Sequence, residues 1–154
     1  DRIYDVVLID VAPSINLIQT CAMVYARQIV IPVSMDLISV QGAAACLETM
    51  RTLNELMGIN IGCVGILPTM VDRRLAMTNY ILNVLEELAN KNRIPLLPPI
   101  RTDATVAKAI RRRQFLIDYD SKSKVVEDYT EAGRVLSEML NVQPKQPAGQ
   151  AAPA

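Results

Sequence analysis

The sequence predicts an α/β fold: a three-layer, mostly parallel sheet with helices on both faces. Three observations predict it. Apolar β-rich runs are continuous rather than alternating, which marks strands buried on both faces. Stretches with helical apolar spacing separate those runs, and strand–helix–strand alternation implies right-handed crossovers. The chain has 154 residues with 51% hydrophobic and only 4% aromatic residues. That supports one sizeable domain with an aliphatic core.

Taken in order, Val6-Val7-Leu8-Ile9 reads as the first strand, ending at Asp10. Residues 15–26 form a short apolar helix. Gln28-Ile29-Val30-Ile31-Pro32-Val33 is the second strand. From Ser39, a plausible N-cap, the positions Val40, Ala43, Ala44, Leu47, Met50 and Leu53 keep helical spacing to a stop at Gly58. Ile61 to Leu67 is the third strand, ending at Pro68. Leu75, Thr78, Leu82, Leu85 and Leu88 set a helix over 74–90. Ile94-Pro95-Leu96-Leu97 and Phe115-Leu116-Ile117 are weaker strand candidates. Val125, Tyr129, Ala132, Leu136 and Met139 make a last helix, capped by Ser121 or Ser123. Residues 1–141 read as one domain part, and 142–154, rich in Pro, Gln and Ala, as a disordered tail.

Composition narrows the chemistry. With 16 Lys+Arg, 16 Asp+Glu and no His, imidazole catalysis and His-ligated metal are excluded. Cys21, Cys46 and Cys63 lack C-x-x-C spacing, sit in apolar runs and read as buried structural thiols in a reducing cytoplasm. The apolar runs are too short to span a bilayer. The start, Asp1-Arg2-Ile3-Tyr4, has neither Met nor a secretory leader, and reads as the beginning of a fragment or processed chain.

Ligands in open parallel sheets bind beyond the carboxyl ends of the strands. Those ends read Asp10-Val11-Ala12-Pro13-Ser14, Pro32-Val33-Ser34-Met35-Asp36 and Pro68-Thr69-Met70-Val71-Asp72-Arg73-Arg74. An Asp directly after four apolar strand residues suits magnesium held through water in a phosphate-binding fold. A strand-end Asp capping the next turn is the plainer alternative.

Residues 101–113 carry five bases, Arg101, Lys108, Arg111, Arg112 and Arg113, against Asp103, a net of +4. Residues 114–141 carry six acids and three bases, a net of −3. On a continuous helix, three consecutive arginines fan over roughly 200° and cannot share one partner. They face solvent, as at many helix C-termini, or a polyanion.

Tyr4-Asp5-Val6-Val7-Leu8-Ile9-Asp10-Val11-Ala12-Pro13-Ser14 resembles the Y-D-hhh-I-D-x-P-P-S segment of ParA-type partition ATPases, in the ParA/MinD branch of deviant P-loop ATPases. Ile31-Pro32-Val33 with Gln41-Gly42 and Leu47-Glu48-Thr49 is similar to the next strand and helix. Gly65 to Arg74 resembles the family's G-hhh-T-M-h-D-x-R segment. Asp118 to Lys124, with Tyr129, resembles its Y-D-x-x-S-x-x-A-x-x-Y ending. The blocks span residues 3–140 in the family's order.

The resemblance implies a P-loop NTPase-like fold with its N-terminal part missing, because no G-x-x-x-x-G-K-[ST] occurs in the chain. Ala12 also stands where the family has the first of two prolines. The resemblance implies ATP and Mg2+ as cofactors. Asp10 would orient the magnesium shell, and Ala12, Pro13 and Ser14 would form the nucleotide-sensing switch. Thr69 and Met70, with the turn Pro98-Pro99-Ile100-Arg101, would flank the adenine.

It further implies an ATP-dependent homodimer, cytoplasmic and nucleoid-associated. Such a dimer binds DNA without sequence preference through Arg74, Arg111, Arg112 and Arg113, and a ParB-like protein stimulates its hydrolysis. No membrane contact is expected, since the last helix carries Glu127, Asp128, Glu131 and Glu138 and is not basic. The alternatives are a MinD-like spatial regulator and a non-enzymatic pseudo-ATPase assembly module.

Overall fold

The computed structural model describes residues 4, 6–12 and 17–142. Strand β1 (Gln28–Ser34) and strand β2 (Gly62–Thr69) run parallel, with Ile31 opposite Ile66 and Val33 opposite Pro68. The register shifts between Ile29 and Val30. Helices α1 (Leu17–Ala26), α2 (Leu37–Met57), α3 (Ala76–Asn92), α4 (Ala104–Arg111), α5 (Leu116–Tyr119) and α6 (Lys124–Met139) surround the pair.

The two sheet faces have separate cores, which is what makes the fold three-layered. On one face Ile31, Val33 and Ile66 pack against Val40, Ala43 and Leu47 of α2 and Ile81, Leu85 and Ala89 of α3. On the other, Leu67 meets Ile100, Val106, Leu116 and the α6 residues Val125 and Ala132. Successive strand residues point to opposite faces, so Ile66 and Leu67 serve different layers. The mixed α/β class with a parallel sheet and flanking helices is as the sequence predicts.

Several elements differ. Val6-Val7-Leu8-Ile9 forms no strand, and Leu8 is 90% exposed. Among the described residues no strand lies alongside it, and a strand without a partner has no ladder for its N–H and C=O groups. Phe115-Leu116-Ile117 is not a strand either: Phe115 precedes α5, and Leu116 turns into the second core. A short apolar run does not distinguish strand from helix by period alone. Ile94-Leu97 runs beside β2 as a broken strand, with one bridge between Ile66 and Leu96. Its bonds are Ile66 N–H to Pro95 O (3.0 Å) and Leu97 N–H to Ile66 O (2.9 Å). Pro95, Pro98 and Pro99 supply no donor, which keeps the ladder short.

The cap of α2 is Asp36, not Ser39. Asp36 Oδ1 accepts from Ser39 N–H at 2.8 Å and its Oδ2 accepts from the Ser39 hydroxyl at 2.7 Å. Ser39 is therefore in the first turn, as the residue a capping carboxylate bonds. Gly58 ends α2 in the left-handed region with φ 59°, as predicted. Ser123 occupies the N-cap of α6 without a side-chain capping bond. Cys21 is exposed, against expectation, whereas Cys46 and Cys63 are half-buried. It lies on the short helix α1, where Met23 is the buried residue. The expected tail lies outside the described residues, apart from Val142.

Candidate functional site

The end of β2 and the segment after Pro98 lie side by side. Ile100 N–H donates to Pro68 O (2.8 Å), Val71 N–H to Ile100 O (3.0 Å) and Thr102 N–H to Val71 O (3.0 Å). This second parallel bridge, between Val71 and Arg101, forms an arch beyond the sheet's carboxyl edge. Thr69 and Met70 lead into one side of the arch, and Pro98-Pro99-Ile100 into the other. Ile100 is 2% exposed and anchors the arch in the core. Met70 is 66% exposed, and its φ of 55° puts a non-glycine residue in the left-handed region. Such backbone strain clusters at functional sites.

A cleft of about 610 Å³ opens beside the arch, lined by Val71, Asp72, Arg73, Arg74, Pro98, Pro99, Arg101, Thr102 and the α6 residues Glu127, Asp128 and Glu131. Two ion pairs frame it. Asp128 accepts from Arg101 Nε and Nη2, each at 2.6 Å, and from the Arg101 backbone N–H at 3.0 Å. Asp72 accepts from Arg74 Nε at 2.8 Å and Nη2 at 2.6 Å. Hydrogen bonds from the Arg74 side chain, then from its backbone, bring the Asp72 pKa down to about 2. The Arg101 side chain likewise holds the Asp128 carboxyl below its usual range.

The arch therefore collects five of the expected site residues, Thr69, Met70, Pro99, Ile100 and Arg101, with Arg74 close by. It does not collect Asp10. Asp10 is exposed, and its neighbours Ile9, Val11 and Ala12 line a separate cleft of about 670 Å³ beside β1, between α1 and α2. Pro13 and Ser14 lie outside the described residues. Glu127 and Asp128 were not legible as site residues, whereas Asp72 stands in the strand end that the sequence singled out. Asp128 stands 27 positions after Arg101, with no motif linking them.

The arch residues fit one end of ATP. Proline and methionine surfaces suit a purine, but a triphosphate would meet the carboxylates of Asp72, Glu127 and Glu131. Both flanking arginines are already paired with acids. Among the described residues no group of three or more His, Cys, Asp or Glu side chains is placed to hold a metal ion. Asp10 is a single carboxylate, which suits a magnesium that takes most of its ligands from water and phosphate.

The arginine cluster lies at the far end of α4. Only Arg111 is helical; Arg112 is the C-cap and Arg113 has φ 54°. The continuous helical fan expected of them is thus not formed. All three are exposed. The Arg112 guanidinium stands 5.3 Å over the Tyr119 ring, a cation–π contact. Among the described residues none of the three has a carboxylate partner.

Comparison with known proteins shows what the chain is similar to. A family model described as an AAA domain matches residues 1–62. The sporulation initiation inhibitor protein Soj of Bacillus subtilis is 27% identical over 132 residues, 85% of this chain and 51% of its own. The chromosome partitioning protein ParA of Myxococcus xanthus is 26% identical over 144 residues, 94% of this chain and 50% of its own. The chain is similar to ParA-type partition proteins over most of its length. Its fold matches that of the McdA–ATP complex from Cyanothece with a TM-score of 0.67 and 16% identity, over 84% of this chain and 49% of that one. The chain spans about half the length of these relatives. Among its described residues no helix is long and apolar enough to cross a membrane.

Proposed function

We propose that this chain is the C-terminal part of a ParA-like ATPase of DNA partition. In this reading the whole protein binds ATP with Mg2+, dimerises, and holds DNA without sequence preference. A ParB-like partner stimulates its hydrolysis, and the protein works in the cytoplasm on the nucleoid. The arch Thr69–Val71 with Pro98–Arg101 takes the adenine end. Asp10 takes the magnesium shell, and Pro13 and Ser14 the switch. ATP supplies the energy that drives dimerisation; the residues of this chain orient its base and present cations to DNA.

One observation carries the reading. On a ParA-like chain, Arg111, Arg112 and Arg113 are exposed and without carboxylate partners among the described residues. Charge that is left unpaired is available to phosphate. Arg74 is offset by Asp72 and contributes less.

The test is DNA binding against salt, in a protein where a ParA-type N-terminal half precedes Asp1. Replacing Arg111, Arg112 and Arg113 together by Ala should weaken ATP-dependent binding and leave ATP affinity unchanged. The slope of log K against log salt should flatten by about 0.9 for each phosphate that is no longer neutralised. Different duplex sequences should suffer alike, since phosphate contacts carry no sequence information. Unchanged affinity with an unchanged slope would return the cluster to a solvated helix end.

A further inference from the structure

We infer that Asp128 is a positioning residue: from α6 it clasps Arg101 and so sets the arch that meets the base end of the nucleotide. The inference rests on the reading of the arch given above, and assigns to Arg101 a different job from direct contact with ligand.

Three facts carry it. Asp128 uses both oxygens on one guanidinium and one of them again on the Arg101 backbone N–H. It therefore fixes the main chain of the arch and not only a side chain. The Asp128 side chain is 12% exposed while that of Arg101 is 42% exposed, so the acid is the anchored partner and the arginine the one that is held. Bidentate pairs of this kind impose direction as well as attraction. Finally, α6 reaches the sheet through Val125 and Ala132 in the second core, with Leu67 of β2. The clasp thus ties the arch to the same helix that braces the strand leading to Met70.

Without Asp128 the arch keeps its backbone bridge to Val71 but loses its outer tether. Arg101 would then swing over the purine face or into the cleft. The expected result is a looser base pocket that discriminates bases poorly, on an intact fold.

The experiment uses the 154-residue chain with adenosine and guanosine as probes, followed by amide NMR shifts. In the parent, adenosine should move the signals of Thr69–Val71 and Ile100–Thr102 more strongly than guanosine does. Asp128→Ala should weaken adenosine binding about tenfold, the scale of one missing charge-assisted hydrogen bond. Its preference for adenosine should fall towards none. Asp128→Asn, nearly isosteric, should fall between the two. Arg101→Ala should match Asp128→Ala, and the double variant should be no worse than either, because the pair acts as one unit. Amide exchange at Ile66 and Leu97 should stay at the parental rate in each variant, which reports an intact fold.

If Asp128→Ala and Asp128→Asn bind like the parent while Met70→Asp loses adenosine, the clasp is wrong and the arch reading stands. If both nucleosides weaken equally, Asp128 is only a brace and the positioning role is overturned. If the parent shows no adenosine shifts at the arch, the base-end reading fails and this inference with it.

Discussion

Gly65 is where the approach of the broken strand Ile94–Leu97 to β2 is decided, and Gly65→Ala tests the packing. A Cβ at Gly65 would sit 2.7 Å from Leu97 Cγ and 3.0 Å from both of its Cδ atoms. Leu97 has little room to withdraw. It is 2% exposed, and its N–H is held by Ile66 O at 2.9 Å. Overpacking of this kind costs about 1–3 kcal/mol. Removing a glycine from the unfolded chain returns about 0.4–1 kcal/mol. The net expectation is a loss of roughly 1–2 kcal/mol. In urea, with a slope of about 1.5–2 kcal/mol per molar for a domain of this size, the midpoint should fall by about 1 M. Leu97→Ala alone should cost about 2–5 kcal/mol through its cavity. Combined with Gly65→Ala it should cost less than the sum, because the new methyl fills part of the void. A Gly65→Ala variant as stable as the parent would refute the reasoning. So would strict additivity with Leu97→Ala.

Two further outcomes follow from the charges and thiols. Asp36, Asp72, Asp103 and Asp128 all titrate below the ordinary carboxylate value in the folded chain, Asp72 at about 2. A depressed folded pKa stabilises above the unfolded value of 3.8 and loses that contribution as pH falls towards the folded one. Urea midpoints should therefore drop between about pH 4 and pH 2, and Asp72→Asn should shallow that drop. An acid limb identical to the parent's would remove Asp72 from the account. Among the cysteines, burial pushes the Cys63 thiol up to about 11 and also raises that of Cys46. Iodoacetamide at pH 8 should label the exposed Cys21 first, read by peptide mass, and faster labelling of Cys63 would contradict its burial.

Much of the architecture was legible because an apolar run leaves a local mark. β1 nonetheless buries Ile31 and Val33 on one face and leaves Gln28 and Pro32 exposed on the other, not both faces as its continuous run predicted. Gln28 to Val33 and Ile61 to Leu67 are continuous apolar runs, and both became strands. Thr78 and Leu85 kept the helical period of a face that is now buried, which Ile81 and Ala89 complete. What failed was whatever depends on a neighbour. Val6 to Ile9 has strand composition, but strandedness is a property of a pair, and no described strand accepts it. Phe115 to Ile117 has the composition of a strand and the position of a helix start. At the candidate site, Thr69, Met70 and the Pro98–Arg101 turn were legible from the strand-end rule and the family resemblance. The Arg101–Asp128 clasp was not, because hydrogen bonds across 27 residues leave no spacing to read. The pairing of Arg74 with Asp72 was hidden for a different reason. A local charge count treats every arginine as free, while two of the cleft's three arginines are already neutralised.

Arg27, Arg93 and Arg113, at φ 62°, 57° and 54°, each turn the chain after a helix, where Gly58 does the same after α2 at 59°. A side chain in that conformation costs roughly 1–2 kcal/mol that glycine would avoid. What arginine provides there is a cation at the negative end of a helix dipole. Heat tolerance and surface charge are consequently coupled at these three corners. Glycine at Arg113 would harden the molecule and remove part of the cluster beside α4. An engineer or a lineage adapting this chain to higher temperature by relaxing its turns would erase its positive corners in the same step. Any gain in robustness at Arg113 is therefore also a change in which polyanions the surface attracts.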